Sequence, residues 1–395
     1  MRAAAGSRRR RRPNLRKRGR RQGTGSNPAA GGHSYDGVVL TRRDAHGDAG
    51  QLAPAVRSRA RRWAGVLLAP SPAALRRIAL AGVLASAGII ATGAAVRLSQ
   101  SGLGCPDWPS CTSNSIAAAG ATGDTLIHRW IEFGNRLVTV AIFVIAVIVC
   151  IACWRFTGGG TGRRRADLAW LGFAQPAAIA VQAVLGGIVV LTRLSPVWVS
   201  VHFLASIALV AAAVALYVRC QEGSGPTRLL VRPELRLLAA GVVGVLTLML
   251  AAGTVVSGTG PLAGARSVAR YRLSLAGVTQ LHADIGWLLA GLVTALLLGL
   301  RFSAVPPRAA RLGWILLGLI AAQGAVGYAQ YFTGLPAGLV WVHVCGAVLI
   351  WITALLLLFS LRDRGPLAGP GAGSAAGPGA SSAAETALPA DVPLR

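Results

Sequence analysis

The chain has 395 residues, of which 53% are hydrophobic and only 13% charged, and its mean hydropathy is +0.56. This is too apolar for a soluble protein of that length and belongs to the multi-span membrane class. The net charge of +27 does not imply nucleic-acid binding. The arginines lie in one N-terminal run and in short clusters between apolar stretches, and clusters of the second kind orient membrane helices.

Residues 1–70 open with "SRRRRRPNLRKRGRR" and stay rich in Arg, Gly and Ala without a hydrophobic period. They read as a disordered basic cytoplasmic tail, either solvated or touching anionic lipid headgroups. His33 and His46 fall in it and have no evident task. No apolar run follows the basic residues closely enough for a cleaved signal peptide.

Eight apolar runs then reach the roughly 20 residues that a membrane-crossing helix needs. They are 78–97, 130–154, 168–191, 197–218, 237–257, 275–300, 312–332 and 337–360. The prediction is an all-α integral membrane protein with eight transmembrane helices. Arg76 and Arg77 precede the first span, and Arg155 and Arg163 to Arg165 separate the second and third. Arg219, Arg228, Arg232 and Arg236 separate the fourth and fifth; Arg301, Arg308 and Arg311 separate the sixth and seventh; Arg362 and Arg364 follow the eighth. All fall on one side if both termini are cytoplasmic, which predicts a multi-pass protein of the cell membrane. The 258–274 loop is the exception: it puts Arg266, Arg270 and Arg272 on the outer side. Binding of an anionic group there would account for them. From 363 to 395 the chain is a Gly/Pro/Ala/Ser tail and reads as disordered.

The spans contain a repeat. "QAVLGGIVVLTRLSPVWVSVH" aligns without a gap on "QGAVGYAQYFTGLPAGLVWVH" at an offset of about 141 residues. Gln182 pairs with Gln323, Gly186 with Gly327, Thr192 with Thr333, Leu194 with Leu335 and His202 with His343. "ATGAAVRLSQSGLG" of the first span likewise matches "AAGTVVSGTGPLAG" of the fifth. The repeat unit is four helices, so the halves are parallel repeats about an axis along the membrane normal. The expected domains are two four-helix bundles, 75–220 and 235–362, each with its site in the core.

Four histidines, His128, His202, His282 and His343, lie at or near the outer ends of the even-numbered spans. Ionisable groups at that depth are costly and point to function. Imidazoles paired from two helices suit a six-coordinate haem iron, whereas zinc calls for three or four ligands in one place. Cys105 and Cys111 lie in "GLGCPDWPSC" of the first outer loop, where an oxidising compartment favours a disulfide. Such a bridge either holds the loop over the bundle or relays thiol chemistry. Cys150 and Cys153 form a C-x-x-C inside an apolar helix, where they read as small apolar filler. The stretch "IHRWIEFGNR" sets His128, Glu132, Asn135 and Arg136 at the mouth of the second span.

Together, "GAAVRLSQSGLGCPDWPSC", the "IEFGNR" after it and one histidine at the outer end of each later even-numbered span resemble haem A synthase of the bacterial kind. The resemblance covers about residues 75–362, and the Arg/Ala/Gly-rich composition is actinobacterial-like. It implies oxidation of the C8 methyl group of haem O to the formyl group of haem A, by successive hydroxylations, for the terminal oxidase. It implies that His282 and His343 ligate the iron of a haem b in the second half. The first half would take the substrate haem, faced by His202, with Glu132 as the essential catalytic carboxylate and Cys105 and Cys111 as the loop disulfide. Asn135, His128 and Arg136 would complete the substrate-haem site. Haem O is then the substrate, with haem O synthase and oxidase-assembly proteins as candidate partners, lipid around the helices and a quinone as candidate electron acceptor.

One departure stands out. Many members read Glu-x-x-His-Arg where this chain reads Glu132-Phe-Gly-Asn135-Arg136. An amide is a poor iron ligand, so the first-half iron is expected to be five-coordinate through His202 unless His128 replaces the missing ligand. His128 shares a helix face with Glu132 at i, i+4, where it would alternatively bond a propionate or orient the carboxylate. If Asn135 is laid over His282, Thr279 stands in the place of Glu132. Only the first half then has the carboxylate. The competing readings are a two-haem cytochrome b working with a quinone, a parallel-repeat transporter, and a thiol oxidoreductase using Cys105 and Cys111.

Overall fold

The computed structural model describes residues 65, 69–118, 122–158, 164–303 and 305–367. Most of the basic N-terminal tail and residues 368–395 of the C-terminal tail lie outside the described residues. Eight helices run in chain order as α1 (Pro72–Leu98), α2 (Asp124–Arg155), α3 (Ala166–Leu191), α4 (Pro196–Arg219), α5 (Pro233–Thr259), α6 (Leu275–Arg301), α7 (Pro307–Phe332) and α8 (Ala337–Ser360). All eight are long and apolar enough to cross a membrane.

Four of them start on a proline, which presets the helical φ and lacks only an amide that the first turn leaves unbonded anyway. At α1 the Ser71 hydroxyl also accepts from the Ala74 amide at 3.2 Å. Helices α1 and α2 begin six residues before the predicted apolar runs, because Arg76, Arg77, His128 and Arg129 continue the helix beyond its apolar stretch. Pro176 lies within α3.

Within each half the helices close a ring: α1 packs on α2 and α4, and α3 on the same two; α5 packs on α6 and α8, and α7 on the same two. The halves meet through α4 against α8, α4 against α5, and α1 against α8. Exchanging the halves maps the first contact onto itself and swaps the other two, the pattern of a two-fold axis along the bundle. The largest apolar core follows this seam, from Val83 and Ile90 of α1 through Val210 and Val214 of α4 to Leu250, Val293, Leu316 and Trp351.

The repeat extends to backbone dihedrals. Helices α3 and α7 end on the same turn, with Arg193 and Gly334 at φ 54° and 80°, and Leu194 and Leu335 at 59° and 62°. Leucine is strained in this left-handed region, yet both copies keep it. Leu194 uses the turn to pack against Gly102 and Gly264.

Both ends of the seam are tied. At the end rich in arginine clusters, Asp167 and Glu222 bond Arg165, Arg219 and Arg362. There a two-residue antiparallel pair, β1 (Arg228–Leu229) with β2 (Arg362–Asp363), joins the α4–α5 loop to the C-terminal segment. The Gly223 amide donates to Gly365 O at 2.8 Å, so the docked chain extends beyond the boundary at 362 that the sequence suggested. At the opposite, histidine end, Arg97 of α1 donates to Ser257 O and Leu262 O, both at 3.0 Å. The Gly102 amide also donates to Gly264 O. Outside, large apolar side chains such as Trp170, Phe302 and Phe332 are more than two-thirds exposed, as suits a surface covered by lipid.

Candidate functional site

In the second half α6 and α8 stand diagonally across the ring and aim His282 and His343 at each other. Their ring centroids are 6.3 Å apart, with planes inclined by 60°. Glycines make room for both rings: a Cβ on Gly253 of α5 would lie 3.2 Å from His282 Cε1, and one on Gly327 of α7 would lie 3.4 Å from His343 Cε1. Nδ1 of each histidine is buried without a partner. The two rings would hold one metal ion between them, since imidazole nitrogens bind at about 2.0–2.1 Å and the centroid separation is compatible with that. Among the described residues, no three His, Cys, Asp or Glu side chains converge, so at this place two imidazoles are the ligand set on offer. Such a pair would hold a haem iron.

The first half repeats the frame with other contents. His202 of α4 lies against Gly186 of α3, where a Cβ would be 3.5 Å from its Cε1, and its Nδ1 is buried without a partner. On α2 the position that aligns with His282 is Asn135. Asn135 Oδ1 is buried and unpartnered. Gly93, the counterpart of Gly253, would meet nothing within 4 Å if given a Cβ. The space filled by His282 in one half is open in the other.

The remaining polar residues of α2 hold the first loop. Glu132 is 6% exposed. Its Oε2 accepts from the Cys105 amide at 2.8 Å and its Oε1 from Arg136 Nη2 at 2.8 Å. Arg136 was expected at the substrate, but it grips the loop. Its Nη2 also donates to Cys105 O and Asp107 O, and its Nη1 to Ser110 O and Pro109 O. A guanidinium's fan of donors suits this loop, whose carbonyls have few other partners. His128 is likewise tied to the loop, with Nδ1 2.7 Å from Ser101 Oγ. Cys105 and Cys111 form a disulfide and are fully buried against Phe133 and Ala118. Gly104 sits so close to α2 that a Cβ would strike the His128 carbonyl. Trp108 lies on Gly187, one residue from the glycine beneath His202. The loop therefore roofs the first bundle, and Glu132 lies between roof and bundle.

The structure thus brings His282 and His343 together and gathers Glu132, Arg136 and His128 at the loop. Sequence reasoning missed Ser101, Trp108 and the loop carbonyls that Arg136 collects. The adjacent Gly186 and Gly187 were the available sign that two bulky groups approach α3.

Residues 76–355 match the model of the COX15-CtaA family, described as cytochrome oxidase assembly protein. Among curated proteins, the chain is 28% identical to the heme A synthase of Bacillus cereus over 116 residues, which is 29% of this chain and 34% of that protein. It is 28% identical to the heme A synthase of Lysinibacillus sphaericus over 107 residues, covering 27% and 32% of the two chains. With the heme A synthase of Oceanobacillus iheyensis it shares 35% identity over 63 residues, covering 16% and 19%. The chain spans about a third or less of the length of these relatives. The family match, in contrast, runs from α1 into α8, and by it this eight-helix membrane protein belongs to the COX15-CtaA family of cytochrome oxidase assembly proteins.

Proposed function

We propose that this protein is a haem A synthase, an oxidoreductase that converts the C8 methyl group of haem O to the formyl group of haem A for terminal oxidase assembly. The observation that carries the reading is the inequality of two equivalent bundles in a chain of this family. One bundle holds two facing imidazoles; the other holds one imidazole, an open space and a roof anchored on a buried carboxylate.

The second bundle, 235–362, is the haem b half, with His282 and His343 as ligands of its iron. Bound there, haem b supplies one-electron transfer. Gly253 and Gly327 keep the imidazoles in position, and Gln323, by donating to the His343 carbonyl, fixes the turn that carries one of them.

The first bundle, 75–220, takes haem O. His202 faces its iron, and Asn135 leaves the opposite side open. The roof excludes bulk water through Trp108 and the disulfide. Glu132 accepts from Arg136 and from the Cys105 amide, with the Gly104 amide also turned towards it. It is the group that relays protons during the oxidation or stabilises positive charge developing on the methyl carbon. Arg136 and His128 act on it indirectly, by fixing the loop against α2. The cysteine pair is structural in this reading. The arginine end is cytoplasmic, so the sites open towards the outer face of the cell membrane.

Membership of the family does not favour an electron-carrying cytochrome or a transporter. The deciding experiment is expression in a host that makes haem O but no haem A, followed by mass spectrometry of extracted haem. Hydroxymethyl and formyl haem are expected; unmodified haem O in a correctly inserted, haem-loaded protein would refute the proposal.

A further inference from the structure

At the arginine end of the bundle, opposite the histidines, the chain gathers more positive charge than its acids neutralise. Asp167 accepts from Arg165 and Arg219. Glu222 accepts from Arg219 and, at 3.5 Å, from Arg362. Asp363 Oδ1 takes the Gly365 amide. The acids are thus engaged mainly by Arg165 and Arg219. Among the described residues, three other guanidinium nitrogens at this end are buried without a partner: Nη1 of Arg236, Nε of Arg362 and Nε of Arg364.

The backbone holds these arginines in place. Arg236 lies in the first turn of α5. Arg362 is fixed by the pairing of β2 with β1, where it stands opposite Leu229. Its guanidinium lies 4.8 Å from the centroid of the Phe359 ring, which sets its plane. The Arg364 backbone is clamped against the α4–α5 loop: a Cβ on Gly223 or Gly225 would strike its carbonyl oxygen. Burial holds the Arg362 guanidinium below its usual pKa; Glu222 opposes this, and the charges of Arg364, Arg219 and Arg236 add to it. The arginines are thus close enough to act on one another.

Guanidinium donors buried without acceptors are unfavourable, and like charges held together repel. The duplicated frame does not demand them, because Gln221 and Gly223 stand at the positions of Arg362 and Arg364 in the first half, at the same offset of 141. Several guanidinium groups around one place suit an anion with several oxygens, and their planar N–H pairs match the spacing of phosphate oxygens. The depth agrees. Here α5 begins and α8 has just ended, so the cluster lies where the apolar spans give way, at the level of the lipid headgroups.

We propose that Arg236, Arg362 and Arg364 form a binding site for a phosphate group at this end of the second bundle. The group is carried by an anionic phospholipid or is free in solution; the headgroup depth favours the lipid. Its oxygens accept from the buried nitrogens and its charge offsets the excess that the acids leave. Arg236 belongs to α5, and the other two belong to the segment that closes on the α4–α5 loop. An occupant therefore clamps the C-terminal segment onto the helix that opens the second half, and stabilises the fold when bound.

The test uses the full-length protein in neutral detergent. Phosphatidylglycerol or phosphatidylcholine is added, and retained lipid is counted by native mass spectrometry. Inorganic phosphate is titrated separately, with thermal unfolding as the readout. Phosphatidylglycerol should be retained over phosphatidylcholine. Arg236→Gln with Arg364→Gln should weaken its retention about a hundredfold, roughly tenfold for each charge-assisted bond. The control is Arg308→Gln with Arg311→Gln, two exposed arginines at the same end, which removes the same charge and should leave retention unchanged. Circular dichroism reports folding. Should the first double variant not fold, Arg364→Gln alone is compared with Arg308→Gln. Stabilisation by inorganic phosphate without lipid retention, lost in the same variants, assigns the site to a soluble phosphate compound. Equal losses in the test and control variants would show diffuse attraction only and overturn the proposal. So would a protein that neither retains phosphatidylglycerol nor is stabilised by phosphate.

Discussion

Asn135→His should turn the first bundle into a copy of the second. The structure leaves room for the ring, because Gly93 would meet nothing within 4 Å of a Cβ where Gly253 meets His282 at 3.2 Å. The change also removes Asn135 Oδ1, an acceptor buried without a partner, which costs about 1–3 kcal/mol as it stands. The new imidazole brings one unpartnered nitrogen of its own, as His202, His282 and His343 already do. Stability without haem should therefore change by no more than about 1–2 kcal/mol. With haem bound in the first bundle, as proposed, its iron should change in kind. With one protein ligand it binds added imidazole or cyanide; with two it is low-spin and closed. A tethered imidazole acts at an effective concentration on the order of millimolar or above, so added ligand must compete with it. The assay is haem stoichiometry with visible and electron paramagnetic resonance spectra, each with and without cyanide. About half of the haem in the unaltered, fully loaded protein should respond, and almost none in the variant. A variant that still takes cyanide like the parent would show that Asn135 does not face the iron, and the superposition of the halves at this position would fall.

Three further outcomes follow from the geometry. His343→Ala removes one of two facing imidazoles and should abolish the low-spin spectrum of the second bundle, read in the purified protein; a retained spectrum would move the ligand elsewhere. Glu132→Gln keeps an acceptor for the Cys105 amide and loses the ionic bond to Arg136, about 1.5–3 kcal/mol less screening at a partly exposed arginine. It should keep the paired-histidine spectrum and stop formyl haem production, and full activity would refute the catalytic role. Arg97→Leu leaves Ser257 O and Leu262 O without their donor, at about 1–3 kcal/mol each if they stay dry. Faster proteolysis of the 258–274 loop is expected, without loss of the paired-histidine spectrum.

The parts of this protein that depend on local periodicity were legible in its sequence. The eight helices follow from apolar length. The repeat follows from an ungapped alignment, which even anticipates the turn shared by Leu194 and Leu335. The facing of His282 and His343 follows from depth. The roof was not legible, because its bonds run from side chains to backbone. The four carbonyls under Arg136 have no residue signature, and nothing in "GLGCPDWPSC" names Glu132 as partner of the Cys105 amide. The arginine end is an intermediate case. Its charges are visible in the sequence. Which of their nitrogens are buried without a partner is not.

The two halves diverged in what they contain more than in how they fold. The ring of helix contacts, the strained leucine turn and the glycine beneath each α4 or α8 histidine recur in both. What differs is the fate of the polar groups inside. In the second half the paired imidazoles are wedged by glycines, and the glutamine is bonded. In the first half an imidazole is missing, the equivalent Gln182 is unbonded and an amide oxygen has no donor. The second half keeps unpartnered groups as well, Thr279 Oγ1 and Nδ1 of His282 and His343. Under the proposed function, groups unsatisfied before binding are the ones left to distinguish what binds. The disulfide-closed roof, present over the first half alone among the described residues, fits the same division. It covers the half proposed to take the substrate.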